Sequence, residues 1–171
     1  SDDGTDGDVQ GNIEEAVEGG MLVSETDANL VMVSALNDDP ASPISGALVQ
    51  RLFGPRWVEL NEKAFGAADA GPGDIRDLAF EVWDEAETES YLGDASVPSD
   101  PESDYAQANA AAFANLKRIL DSEVSDVRVI KFGPKDGDGK LQEDAGAYGL
   151  FIVGKGPDGE VVGVYTGVVE T

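Results

Sequence analysis

Leu150-Phe151-Ile152-Val153-Gly154, Pro157-Asp158-Gly159 and Val161-Val162-Gly163-Val164-Tyr165 follow one another almost without interruption. The first is a dense apolar run with β-branched and aromatic side chains, which reads as a strand. The second is a turn: proline presets φ, aspartate bonds its own backbone, and glycine tolerates the reversal. The third opens a strand that continues to Val169. Upstream, Val127 to Phe132 alternates apolar residues with Arg128 and Lys131, the period of a half-buried strand. Residues 127–133, 149–155 and 160–169 are therefore expected side by side in one sheet, the last two as an antiparallel hairpin.

Working back from the hairpin, the period changes. Pro101 to Asp121 carries Tyr105, Ala112, Phe113, Leu116, Ile119 and Leu120 at helical spacing, and its alanines favour helix and close packing. Residues 90–100 read as irregular. Asp74 is placed to cap a helix whose face is Ile75, Leu78, Ala79, Val82 and Trp83. Residues 66–73, rich in small residues, read as a loop. Trp57-Val58-Glu59-Leu60 alternates as a strand. Ser42-Pro43 looks like an N-cap followed by proline at the first helical position, opening a helix over 43–53 that ends at Gly54-Pro55. Leu30-Val31-Met32-Val33 reads as a strand. Asn12, with Glu15 three residues on, resembles a capping box for a short helix over 13–18, stopped by Gly19-Gly20. Residues 1–11 carry few apolar side chains and read as a disordered acidic lead-in, leaving 12–171 as one domain. The predicted order is α-β-α-β-α-α-β-β-β. The class is α+β, with helices covering a sheet.

The composition excludes several chemistries. The 171 residues contain neither cysteine nor histidine, so zinc-finger, cysteine-nucleophile and Ser-His-Asp sites are ruled out. No cofactor is expected. Thirty-five acids against 11 basic residues leave a net charge of −24, which repels nucleic acid and anionic membrane. Two causes compete: a surface adapted to high salt, and mimicry of a polyanion. Acid pairs such as Asp2-Asp3, Glu14-Glu15, Asp38-Asp39 and Asp84-Glu85 are spread along the sequence, which favours salt adaptation. No apolar run approaches the roughly 20 residues of a membrane helix, and no signal peptide is visible. The first residue is Ser1: loss of an initiator methionine is the plain reading, and a cleaved signal the alternative. The expectation is a cytoplasmic protein, monomeric when free.

Asp136-Gly137-Asp138-Gly139-Lys140 resembles the start of a calcium loop. It fails where such a loop needs an oxygen ligand at its fifth position, glycine at its sixth and glutamate at its twelfth, so a plain inter-strand loop is expected. No glycine cluster has phosphate-loop spacing. Among 35 acids, pairs such as Glu85 and Glu89 are explained by a solvated helix face. Trp57, Trp83 and Tyr105 are assigned to the core.

Two short segments stand out together. One is Met21-Leu22-Val23-Ser24-Glu25-Thr26-Asp27, after the first helix. The other is Val168-Val169-Glu170-Thr171, where the sequence stops on a strand rather than a polar tail. With Phe151-Ile152-Val153-Gly154, Pro157-Asp158-Gly159 and Gly163 to Thr171, the chain resembles the nuclease A inhibitor family, proteins that block a sugar-non-specific DNA/RNA nuclease. Trp57 to Ala67, 104–121 and Val127 to Gly133 add weaker support, and the resemblance is weakest over 66–100. It implies a three-layer α/β/α sandwich with a mixed sheet, similar to plant pathogenesis-related proteins of type 1. It also implies an inhibitor rather than an enzyme. Glu25 would enter the partner's active site like a scissile phosphate, Thr171 would approach the partner's catalytic metal, and Ser24, Thr26, Asp27 and Glu170 would join the contact. The partner would be a metal-dependent nuclease, with no direct nucleic acid, no membrane and no metal of the inhibitor's own. The alternative is an acidic protein-binding module on the same fold with a non-nuclease target. An enzyme built only on carboxylates is a distant third.

Overall fold

The computed structural model describes residues 9–18, 20–22, 28–66, 75–142 and 146–169. Five strands form one antiparallel sheet in the order β3-β7-β6-β5-β4. They are β3 (Val31–Ala35), β4 (Ala79–Val82), β5 (Ser125–Gly133), β6 (Ala147–Lys155) and β7 (Val161–Val169). The expected hairpin is present: Ala147 pairs with Val169 and Lys155 with Val161. β5 lies on the far side of β6, with Ile130 opposite Phe151. The sheet expected to be mixed is antiparallel at every pairing.

The period-2 rule of a strand sorts the sheet's side chains into two cores. Val129, Leu150, Ile152, Val162 and Val164 face α1 (Val9–Val17), α4 (Glu85–Ala95) and α5 (Asp104–Glu123). Ile130, Phe132, Phe151, Val153, Val161 and Tyr165 face α2 (Gly46–Phe53) and α3 (Trp57–Phe65). Helices thus cover both faces. The second core is aromatic: Phe53 stacks on Phe151 at 5.3 Å, and Trp57 meets Phe132 and Tyr165 edge-on, each at 5.3 Å. Such pairs add about 0.5–1.5 kcal/mol each beyond the area they bury. Gly149 leaves the space the Phe132 ring fills: a Cβ there would lie 2.3 Å from Cζ.

Several elements depart from the sequence expectation. Residues 57–60 are helix, not strand. Trp57, Leu60, Asn61 and Ala64 are buried while Val58 and Glu59 are exposed, a spacing of three and four that only a helix supplies. Helix α2 ends at Phe53, as expected at Gly54-Pro55, and Pro55 lies in the first turn of the 3-10 element Gly54–Arg56 that leads into α3. The helix expected from Ile75 to Trp83 is a 3-10 turn, Ile75–Asp77, followed by strand β4. Tertiary pairing overrides the helical spacing there: Phe80 lies opposite Phe132 in β5 and stacks on it at 5.4 Å. Asp74, its expected cap, lies outside the described residues.

The irregular stretch expected from Ser90 is helical as far as Ala95, because Asp84 and Glu87 form a reciprocal capping box. The cap of α2 is Ser45, accepting from the Leu48 amide, not Ser42. Helix α1 begins at Val9, which is buried with Ile13 and Val17, inside the stretch assigned to the lead-in. Tyr105, the second residue of α5, is 49% exposed rather than core. The order is therefore α-β-β-β-α-α-β-α-α-β-β-β. No described helix is long and apolar enough to cross a membrane.

Candidate functional site

Ser24, Glu25, Thr26, Asp27, Glu170 and Thr171 all lie outside the described residues. The described residues nearest to them along the chain are Leu22, Ala28 and Val169. Strands β1 (Met21–Leu22) and β2 (Ala28–Asn29) pair antiparallel, with Leu22 opposite Ala28. Both pack against β7. The buried Thr166 of β7 donates its hydroxyl to the Ala28 carbonyl at 3.3 Å. Three residues further along β7 is Val169, about 10 Å away at strand rise.

A third element closes this corner. Asn29 donates its side-chain amide to the Lys63 carbonyl in the last turn of α3 at 3.0 Å. Phe65, at the end of the same helix, packs over Gly167: a Cβ there would stand 2.5 Å from its Cζ. Helix α3 then stops at Gly66, which takes the left-handed conformation (φ 81°) that a side chain resists. The base of the β1–β2 pair, the end of α3 and the end of β7 are thus locked together by two hydrogen bonds and an aromatic ring over glycine. The sequence signalled none of these three contacts, since each joins residues far apart in the chain.

The remaining candidates resolve as structure. Asp136 Oδ1 accepts from the Asp138 and Lys140 amides at 2.7 and 3.0 Å, and a Lys135–Leu141 bridge closes the loop. One carboxylate oxygen that a cation would need is thereby spent on the backbone. Among the described residues, no group of three or more acids is arranged to hold a metal ion. Lys117 ties Asp121 at 2.7 Å and Glu89 at 3.4 Å. The Asp121 hydrogen bond and charge hold its ammonium above the ordinary lysine range. Glu85 meets Arg128 at 3.5 Å, and Asp126 meets it at 3.2 Å. Acids of α4 and α5 are thus partly neutralised rather than poised as an acid–base pair.

Asp126 was not anticipated. It sits at φ 52° in a bulge of β5, a conformation aspartate tolerates better than most residues. Its Oδ2 accepts from the Ile44 amide at 3.0 Å, fixing the approach to α2. Beyond its known tolerance for such backbone, nothing in the residue type pointed to it.

The chain matches the family model of nuclease A inhibitor-like protein (NuiA) over residues 81–171. A search of curated proteins gives no match. The matched segment runs from β4 through α4, α5, β5 and β6 to β7 and includes Glu170 and Thr171. The turn at 23–27 precedes it. More than half of the chain, including the β6–β7 hairpin, follows the family pattern, and the chain belongs to the nuclease A inhibitor-like family.

Proposed function

We propose that this protein is a non-catalytic inhibitor that binds a metal-dependent, sugar-non-specific nuclease and blocks its active site. Glu25 acts as the phosphate mimic, Thr171 approaches the catalytic metal, and Ser24, Thr26, Asp27 and Glu170 line the contact. The fold is read as an α/β/α sandwich of the pathogenesis-related type 1 kind, which the helices on both sheet faces support. The observation that carries the functional reading is the corner geometry. Ala28 follows the 23–27 segment, Val169 precedes Glu170, and the Thr166–Ala28 hydrogen bond ties their two strands together. Two segments rooted so close together suit a single metal centre. Chemically, a divalent cation with open coordination positions takes hard oxygen donors. A carboxylate supplies phosphate-like charge without a cleavable bond.

The test is inhibition of a nuclease recovered from the source lysate in the presence of Mg²⁺. Changing Glu25→Gln, or deleting Thr171, removes a charge-assisted or metal-directed contact in a desolvated cleft. The expected loss is about 2–5 kcal/mol, or roughly 30- to several-thousand-fold in Kd. Glu87→Gln, at an exposed capping position on α4, should leave Kd nearly unchanged. Inhibition that survives both site changes overturns the metal-directed mechanism. A captured partner without nuclease activity favours the non-nuclease module.

A further inference from the structure

The sheet has two edges, β3 and β4, and they differ. β4 carries Glu81, a charge of the kind that discourages strand pairing. β3 lies in an uncharged stretch, Ala28-Asn29-Leu30-Val31-Met32-Val33-Ser34-Ala35-Leu36-Asn37, bounded by Asp27 and Asp38. In an antiparallel strand, alternate residues turn both backbone groups away from the partner. Two contacts fix which residues do so here. The Leu30 amide donates to the Gly20 carbonyl at 3.0 Å. The Ser34 carbonyl accepts from Arg56 Nη1 at 2.9 Å. Neither contact is to β7, so even-numbered residues face outward. Met32, between them, therefore turns its N–H and C=O outward, as Ser34 does its N–H. None of these three groups has a partner among the described residues. Just past the strand, Leu36 is 91% exposed.

Beside this edge runs a groove of about 580 Å³, lined by Asn29 to Met32, by Glu14 and Glu18 of α1, and by Lys63 of α3. A second depression, over Arg56, Val58, Glu59 and Glu62, shares Lys63 with it. Lys63 is itself matched by Glu59 at 3.3 Å. In the second depression Arg56, whose Nη1 donates to the Ser34 carbonyl, offsets Glu62, so the acids left to attract a cation are Glu14 and Glu18 on the α1 wall.

We propose that the open edge of β3 is a strand-addition site for an extended, lysine- or arginine-bearing segment of a protein partner. The unpaired Met32 and Ser34 groups supply the backbone pairing. The groove's acids select basic side chains. A second copy of this chain is a poor occupant. Antiparallel pairing of two β3 edges requires a two-fold axis perpendicular to the sheet, which sets α1 beside α1 and Glu14 and Glu18 against their own counterparts. The proposal does not depend on the nuclease reading, since the edge groups and the groove stand whatever the corner binds.

The test uses the full chain and a synthetic peptide, acetyl-Lys-Val-Lys-Val-Lys-Val-Lys-amide, followed by residue-resolved amide hydrogen exchange. The Met32 and Ser34 amides should slow at least about tenfold on peptide addition, as amides entering a β-ladder do. The matching Glu-Val peptide should have no effect. Glu14→Lys with Glu18→Lys, both on exposed positions, should weaken binding at least about tenfold. Met32→Pro removes the outward N–H at an edge position where proline is tolerated and should abolish binding, whereas Met32→Leu should not. Peptide binding that leaves both amides exchanging at their free rates overturns the proposal in favour of bulk charge attraction, and this readout needs no variant to fold. Protection that grows with protein concentration alone, together with a dimer mass, overturns the choice of occupant.

Discussion

Two tyrosines of the core make opposite use of their hydroxyls. Tyr165 is fully buried and donates to Asn61 Oδ1 at 3.3 Å, with Asn61 itself buried. Asn61→Leu removes that acceptor and leaves a sealed hydroxyl short of a partner, which should cost about 1–3 kcal/mol in chemical denaturation. The Tyr91 hydroxyl is buried with no hydrogen-bond partner among the described residues, its ring wedged edge-on between Trp83 and Phe113. Tyr91→Phe should therefore leave stability unchanged or raise it. A loss above about 1 kcal/mol would show that the hydroxyl has a partner in solution, such as a buried water. Burial pushes the Tyr91 phenol up to about 12 and raises that of Tyr165 as well. In the unfolded chain both ionise near the reference value of about 10. Above that pH the unfolded state has lost protons the native state keeps, so stability falls as pH rises. The contribution is intact below about pH 10 and, for Tyr91, declines until pH passes about 12. Unfolding curves at pH 8, 10 and 11, read beside phenolate absorbance, check both sign and window.

Helix α2 shows what local sequence can and cannot specify. Its amphipathic face is plain in the spacing of Leu48, Val49 and Leu52, but two serines compete to start it. Ser42 is followed by proline, yet Ser45 makes the capping bond to Leu48, while the Ser42 hydroxyl turns back to Asp39. Ser45→Ala should cost about 1 kcal/mol, or roughly 2–4 °C in Tm for a chain of this size. Ser42→Ala should cost distinctly less, and equal losses would contradict the cap assignment. The choice between them is made by Asp126, whose carboxylate holds the Ile44 amide from far along the chain. The same cause explains the other departures. β5, β6 and β7 were legible because alternation, turn chemistry and neighbouring strands agreed. Residues 57–60 fit either period, and the second core decided for helix by drawing in Trp57 and Leu60 together. β4 is a strand only because β5 offers it a free edge. At the candidate site it was the family resemblance that pointed to Glu25 and Thr171. The corner that roots their segments depends on Thr166, Ala28, Asn29 and Lys63, whose roles exist only once the chain has folded.

At the scale of the molecule, charge and topology set the behaviour. Net charge of −24 over 171 residues opposes compaction, because unscreened acids repel across a surface with few cations to separate them. Apparent Tm should climb between dilute buffer and molar NaCl as the screening length shrinks from tens of ångströms to about 3 Å. A flat or falling Tm over that range would remove salt adaptation as the reason for the acidity. The topology has a further consequence. β3 pairs in the sheet with β7 alone, Val33 lying opposite Gly163, and β7 is the strand that joins β3 to the rest of the sheet. During synthesis β3 leaves the ribosome early and then waits, its outer and inner edges both bare, until nearly all of the described chain has been translated. Closing so long a loop is slow, and through that interval an uncharged, apolar strand is open to any neighbouring chain. The heavily acidic remainder of the nascent polypeptide then has a second use: like-charged chains on one polysome keep their β3 segments apart until β7 arrives to cover them.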